Sequence, residues 1–269
     1  MSKKISFSLV ILALFFSILA CNAASNVSLQ SETIHGSGTV VEESRTLSNF
    51  SRIEFDMQGT LHIEVGSSEA LRIQAEDNLM EYIWTEQTPD KLVIRTKPGT
   101  NLDETQPIEF YLTVVKLDEI AINSSGDVLA PDLSAEDFRI DVSSSGDLTL
   151  GNLSCTALRV YLSSSGDASL AGLTADSINV VISSSGNLDI QGGQVQKQDI
   201  TISSSGGYEA KELVSASADV TLSSSGSATI RVNDSLNGTL SSSGNVYYVG
   251  SPSVNVSTSS SGKAIQITD

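Results

Sequence analysis

A four-residue motif returns along the second half of this chain with a fixed stride. It reads Asn-Ser-Ser-Gly ending at Gly126, then Ser-Ser-Ser-Gly ending at Gly146, Gly166, Gly186, Gly206, Gly226, Gly244 and Gly262. The steps are 20 residues up to Gly226 and 18 residues after it. Self-similarity at a period of this size belongs to arrays in which each repeat buries its apolar face against its neighbours.

A second regularity lies between the glycines. Six residues before successive glycines stand Ile120, Ile140, Val160, Val180, Ile200 and Val220, and four before stand Ile122, Val142, Leu162, Ile182, Ile202 and Leu222. Two after stand Val128, Leu148, Ala168, Leu188, Tyr208 and Ala228, and four after stand Ala130, Leu150, Leu170, Ile190, Ala210 and Ile230. Most odd offsets are polar. A period of two marks strands with one buried face. The middle serine of each triplet and the glycine share the inward parity. Two readings of the triplet stay open: small residues turned into a narrow corner, or an outward turn rich in Ser and Gly. A propeller blade needs ~40 residues, whereas a coil of this length suits two or three short strands. The expected fold is therefore all-β, a right-handed parallel β-helix with coils of about twenty residues turning at the eight glycines. Parity places Tyr208 and Tyr248 inside and leaves Tyr161 and Tyr247 outside.

Residues 39–118 are strand-like but less regular. Ile53, Phe55, Gly59, Leu61 and Ile63 repeat the core spacing around Gly59. Further strands are expected at 70–76, 91–96 and 108–115, with turns or loops at 77–80 and 98–107. This part holds Trp84, the only tryptophan. It is expected to cap one end of the solenoid and hide a ladder edge that invites aggregation. No linker separates the halves. Residues 39–269 are read as a single domain, with 39–118 as irregular capping strands and 119–269 as the regular repeats.

The start of the chain reads as an address. Lys3 and Lys4 precede an uncharged run over residues 5–20. That run is short for a membrane span, which needs ~20 residues, and fits a secretory signal. It ends Ser17-Ile18-Leu19-Ala20-Cys21, which resembles the bacterial lipobox, with Leu19 where a small residue is more common. The resemblance implies residues 1–20 as a lipoprotein signal peptide, a lipid on the Cys21 thiol, and membrane attachment through it. By the same analogy, Asn22 in place of Asp directs the expectation to the outer membrane of the cell envelope. Residues 21–38, rich in Ser, Asn and Ala, are expected to be a flexible tether. Cys155 is left without a partner, so no disulfide framework is expected.

The order Phe50-Ser51-Arg52-Ile53, Gly59-Thr60-Leu61-His62-Ile63, Leu71-Arg72-Ile73-Gln74-Ala75-Glu76-Asp77-Asn78-Leu79 and Lys91-Leu92-Val93-Ile94, then Pro107-Ile108 and the Ser-Gly repeats from Ser124, resembles the auto-transporter adhesin head GIN domain family. The resemblance covers about residues 39–269. It implies a right-handed β-helix, often exported and often lipidated. It brings no ligand and no catalytic residues with it.

The chemistry is sparse. The formal charge is -17, with 15 basic against 32 acidic residues, which argues against a nucleic-acid partner. The two histidines, His35 and His62, are too few for a histidine-rich metal site and have no evident partner along the chain. Asp127, Asp147 and Asp167 each follow a repeat glycine and form a column. Stacked carboxylates suit Ca²⁺, but the column decays to Asn187, Gly207, Ser227, Asn245 and Lys263, the pattern of turn residues. No metal or cofactor is expected. The leading reading is a non-enzymatic envelope lipoprotein, adhesin-like or scaffolding, with an envelope protein or a glycan as partner. The alternative is a polysaccharide lyase or hydrolase using Asp127, Asp147 and Asp167. Oligomeric state stays open.

Overall fold

The computed structural model describes residues 31–268. The signal peptide, the lipidation residue Cys21 and the first part of the tether lie outside the described residues. Thr33–Asp269 forms one compact unit. Its irregular part contains β1 (Glu32–His35), β2 (Val40–Thr46), β3 (Arg52–Asp56), β4 (Thr60–Val65), β5 (Ala70–Glu76), β6 (Ile83–Gln87), β7 (Lys91–Thr96), β8 (Thr100–Asp103) and β9 (Glu109–Val114). The repeats contain β10 (Glu119–Ile122), β11 (Asp127–Ala130), β12 (Leu133–Ser134), β13 (Asp137–Val142), β14 (Leu148–Ser154), β15 (Ala157–Leu162), β16 (Ala168–Ile182) and β17 (Asn187–Ile190). They continue through β18 (Gly193–Ile202), β19 (Gly207–Leu222), β20 (Ser227–Leu240), β21 (Val246–Val249), β22 (Ser253–Thr258) and β23 (Ala264–Gln266).

The alternation in sequence becomes alternation in burial. In β13 Phe138, Ile140 and Val142 are buried while Asp137, Arg139 and Asp141 face outward. β-Branched residues are stiff and pack well on a pleated surface, so these segments favour strands. One coil covers the next in strict register. Ile120 pairs with Ile140, Ile140 with Val160, Val160 with Val180, Val180 with Ile200 and Ile200 with Val220, all in parallel ladders. These side chains are no more than 2% exposed, which places the apolar face of each coil against its neighbours. A second wall pairs Val128 with Leu148, Leu148 with Ala168 and Ala168 with Leu188. A short third side pairs Leu133 with Leu153, Leu153 with Leu173 and Leu173 with Gly193. The result is a parallel β-solenoid, as the repeat implied.

The Ser-Ser-Ser-Gly segment is a tight corner inside the ladder. Gly146 N–H donates to the Ser124 carbonyl (3.1 Å), Gly166 N–H to the Ser144 carbonyl (3.0 Å) and Gly186 N–H to the Ser164 carbonyl (3.0 Å). The middle serines from Ser124 to Ser242 are half-buried, Ser260 is exposed, and the glycines are buried. Backbone groups, rather than a chain of hydroxyls, thus carry the stack through this corner. A Cβ on Gly146 would overlap the Gly126 carbonyl oxygen and lie 2.7 Å from that of Ser124. None of the corner glycines has positive φ. Glycine is required here by close approach, not by a left-handed backbone.

The irregular part continues both walls, but its coils are stacked out of chain order. β3 lies between β7 and β10, and β4 between β9 and β11, all parallel. The later-coming β7–β9 coil therefore sits outside the earlier β3–β4 coil. Antiparallel strands then end the ladders: β6 pairs with β7, β5 with β9, and β2 with β5. Between β5 and β6 a short 3-10 turn, Met80–Tyr82, carries buried Leu79, Met80 and Ile83. The half-buried Arg45 of β2 donates to the Ile83 carbonyl at 2.8 Å, linking the outermost strands of the two walls.

The boundary expected between tether and domain needs correction. Residues 33–38 are not free chain: β1 pairs with β8 in a separate two-stranded sheet, and Gly36 N–H donates to the Asp103 carbonyl at 2.9 Å. The low apolar content of residues 21–38 misled because the end of that stretch is held by hydrogen bonds, which composition does not reveal.

Candidate functional site

The outward face of the first wall is an ordered surface. Parallel register aligns its outward residues in rows. One row runs Asp141, Tyr161, Val181, Thr201, Thr221, Thr239, Ser257. Its neighbour, two residues earlier on each strand, runs Arg139, Arg159, Asn179, Asp199, Asp219, Asn237, Asn255. Within a row, successive coils are ~4.8 Å apart. Thr201, Thr221, Thr239 and Ser257 are exposed, as are Asn237 and Asn255. Gly238 stands where earlier coils carry Val or Ile, and a shallow trough opens there between Asp219, Thr221, Asn255 and Ser257.

This strip is organised by its own contacts. The Lys197 ammonium bridges Asp199 (2.8 Å) and Asp219 (2.9 Å). Asn237 donates its amide to Asp219 Oδ1 at 2.9 Å. Hydrogen bonds from Lys197 first, then from Asn237, hold the Asp219 carboxyl below the usual aspartate range. Bonds to Asp199 and then Asp219 hold the Lys197 ammonium above its ordinary value. Asp219 is therefore a fixed acceptor at neutral pH and unsuited to general-acid work, which needs a raised pKa. The face offers hydroxyls, amides and carboxylates at regular spacing, a surface chemistry that hydrogen-bonds polyhydroxylated ligands.

The aspartate column has a different occupation. Asp147 N–H donates to Asp127 Oδ1 (3.0 Å), Asp167 N–H to Asp147 Oδ1 (2.8 Å) and Asn187 N–H to Asp167 Oδ1 (2.7 Å). Each carboxylate satisfies the backbone donor of the next coil at the corner, where pairing is interrupted. Asn187 adds a side-chain bond to Asp167 Oδ1 at 3.0 Å, so amide replaces carboxylate without breaking the column. Among the described residues, no group of three His, Cys, Asp or Glu side chains is arranged to hold a metal ion.

Both histidines, unpartnered along the sequence, are partnered in space. His35 Nδ1 lies 2.6 Å from Asp103 Oδ2, and His62 Nε2 lies 2.7 Å from Glu109 Oε2. His62 also stacks on Tyr111 with ring centroids 4.9 Å apart, and Arg72 covers Tyr111 at 3.9 Å. With both neighbours in place, Tyr111 is not an open stacking platform. Asp56 also escaped the sequence reading: burial first, then the charge of Glu54, pushes its carboxyl up. Cys155 is a half-buried free thiol raised to about 11 by burial and then by Asp137, so it is a poor nucleophile. Tyr208 is fully buried as parity required, while Tyr161, Tyr247 and Tyr248 are all half-buried. Arg139 lies 4.2 Å over the Tyr161 ring.

A family profile described as "Putative auto-transporter adhesin, head GIN domain" matches residues 49–190 and 151–252. No curated protein matches the chain. Among solved structures, a putative adhesin from Parabacteroides merdae is similar at TM-score 0.79 and 20% identity, covering 88% of this chain and 99% of its own. A putative adhesin from Parabacteroides distasonis is similar at TM-score 0.75 and 20% identity, over 88% of this chain and 100% of its own. A putative lipid binding protein from the same species gives TM-score 0.74 at 20% identity, over 88% and 100%. At these identities the likeness is one of fold.

Proposed function

The chain belongs to the putative auto-transporter adhesin head GIN domain family, and from that premise we propose a non-enzymatic, adhesin-like role at the cell envelope, with the first wall as its contact face. The observation that carries the proposal is the exposed row Thr201, Thr221, Thr239 and Ser257 beside Asn237 and Asn255. β18, β19 and β20, each paired on both sides, present Thr201, Thr221, Asn237 and Thr239 with little freedom left to lose on binding, and β22 adds Asn255 and Ser257 from the last strand of the wall. The ligand class that matches is a polyhydroxylated glycan surface. Attachment through a lipid on Cys21, with the solenoid held at the outer membrane, belongs to the same proposal. It rests on the Ser17-Ile18-Leu19-Ala20-Cys21 run.

The test is binding of the purified chain to a panel of envelope and host glycans. The combined change Thr221→Lys and Thr239→Lys should weaken binding at least about tenfold, since two long charged chains would block the row. Equal binding by both proteins, or release of reducing or unsaturated sugars by the wild type, contradicts the proposal. Cys21→Ser should abolish incorporation of labelled lipid; retained labelling contradicts the anchor.

A further inference from the structure

Residues 76–78, within the family-like stretch, have no part in the glycan face. In space they grip the segment that precedes β2. Asn78 donates its amide to the His35 carbonyl at 2.7 Å, and its side-chain oxygen accepts the Ser37 N–H at 2.9 Å. Asp77 accepts the Ser37 hydroxyl, and Glu76 accepts the Gly38 N–H. Glu76 and Asn78 thus make three bonds to the main chain of residues 35–38, and Asp77 adds one to the Ser37 hydroxyl.

The grip is selective for small residues. A Cβ on Gly36 would overlap the Glu76 carboxylate, and Gly38 has φ +83°. The buried Glu76 also accepts the Thr105 N–H (2.8 Å) and the Thr105 hydroxyl (2.6 Å), so the same carboxylate joins the segment to the loop after β8. His35 and Gly36 add their bonds to Asp103. Apolar burial contributes little: Ile34 is only half-buried. Ile34 packs against the core as a partly buried side chain, while Leu79, Met80, Ile83 and Leu102, from other segments, are buried within it.

A segment held chiefly by polar contacts, with one half-buried apolar side chain against the core, can detach while exposing little of that core. We propose that residues 33–38 form a strap that opens as a unit while the solenoid stays folded, with Glu76-Asp77-Asn78 as its catch. Opening converts six ordered residues into free chain ahead of β2, a span of up to ~20 Å when extended. The catch is a binding site for an extended Gly-x-Gly main chain, occupied by the chain's own residues 36–38. This inference is independent of the glycan proposal and fails or stands without it.

Amide hydrogen exchange on the full chain in detergent, at neutral pH, tests it. The amides of residues 36–38 should exchange together, at least about 100-fold faster than those of β13 to β18. Asn78→Ala removes two bonds from the catch. Gly36→Ala forces a methyl group against Glu76 while leaving the catch chemically intact. Each should speed strap exchange by about tenfold or more and leave β13 to β18 unchanged. Exchange of the strap in step with the walls, acceleration of both together in the variants, or no response to either variant overturns the proposal.

Discussion

At Gly186 an added methyl group would overlap the Gly166 carbonyl oxygen and lie 3.0 Å from the Ser164 carbonyl oxygen, both backbone atoms of the adjacent coil. Gly186→Ala should therefore cost about 2–3 kcal/mol as overpacking, read as a lower midpoint in chemical denaturation; an unchanged midpoint contradicts the corner geometry. Inside the stack, Tyr208 donates its hydroxyl to Gln198 Oε1 (2.8 Å), Gln198 donates to Ser215 Oγ (2.9 Å), and Ser215 donates to the Arg231 carbonyl (2.8 Å). Tyr208→Phe strands the Gln198 oxygen in the core and should cost about 1–2 kcal/mol; no change in the denaturation midpoint would show that the oxygen finds another partner. Glu76 is held below the ordinary glutamate value of 4.5 by the Thr105 hydroxyl first and then by the N–H groups of Thr105, Gly38 and Gln106, against the opposing effect of burial. A depressed folded-state pKa contributes stability that is complete above the unfolded value and fades as pH falls through the folded one. Acid titration should show part of the stability lost below pH 4.5, and Glu76→Gln should lack that part; identical acid profiles contradict the assignment. The inward parity of Tyr208 was legible from its place two residues after Gly206. Its hydrogen-bond partners were not, because they sit on other coils. The histidine–carboxylate pairs stayed hidden for the same reason, lying 68 and 47 residues apart.

At the scale of the strand, the regular coils were legible because sequence neighbours are also stacking neighbours. The irregular part breaks that rule. β7 and β9 lie outside β3 and β4 rather than against β10 and β11, so no single period describes the order. The step from 20 to 18 residues was visible in the glycines, but not where the chain absorbs it. The ladder between β19 and β20 shifts register between Ala210 and Val214 and again between Ser215 and Ser217. Those shifts surround the Gln198–Ser215 pair, which ties one side of the irregularity to the coil before it. The cap was expected from irregular spacing alone, whereas the Arg45 contact that links its edge strands was not. Arg45→Ala leaves the Ile83 carbonyl without that donor and should lower stability by about 1–2 kcal/mol. Faster hydrogen exchange in β2 and β6 than in β13 to β15 would locate the effect at the cap; uniform acceleration would contradict its local nature.

Across the solenoid, each coil depends on its neighbours more than on distant parts, so its length is adjustable in whole coils. Removing residues 157–176, one complete period, should leave a folded protein with a lower unfolding enthalpy. Removing residues 157–166 should abolish cooperative unfolding, because the strands would no longer meet their partners in register. The exposed rows of the proposed contact face have the same origin as the core, since a fixed register orders both sides of every strand. Pulsed electron resonance between spin labels on one outward row tests that register most directly, using labels at Asp141 paired in turn with Thr201, Thr221 and Thr239, with the native cysteines replaced. The separations should be about 14, 19 and 24 Å, rising by ~4.8 Å with each added coil. Separations that fail to rise in equal steps would contradict the stacked solenoid.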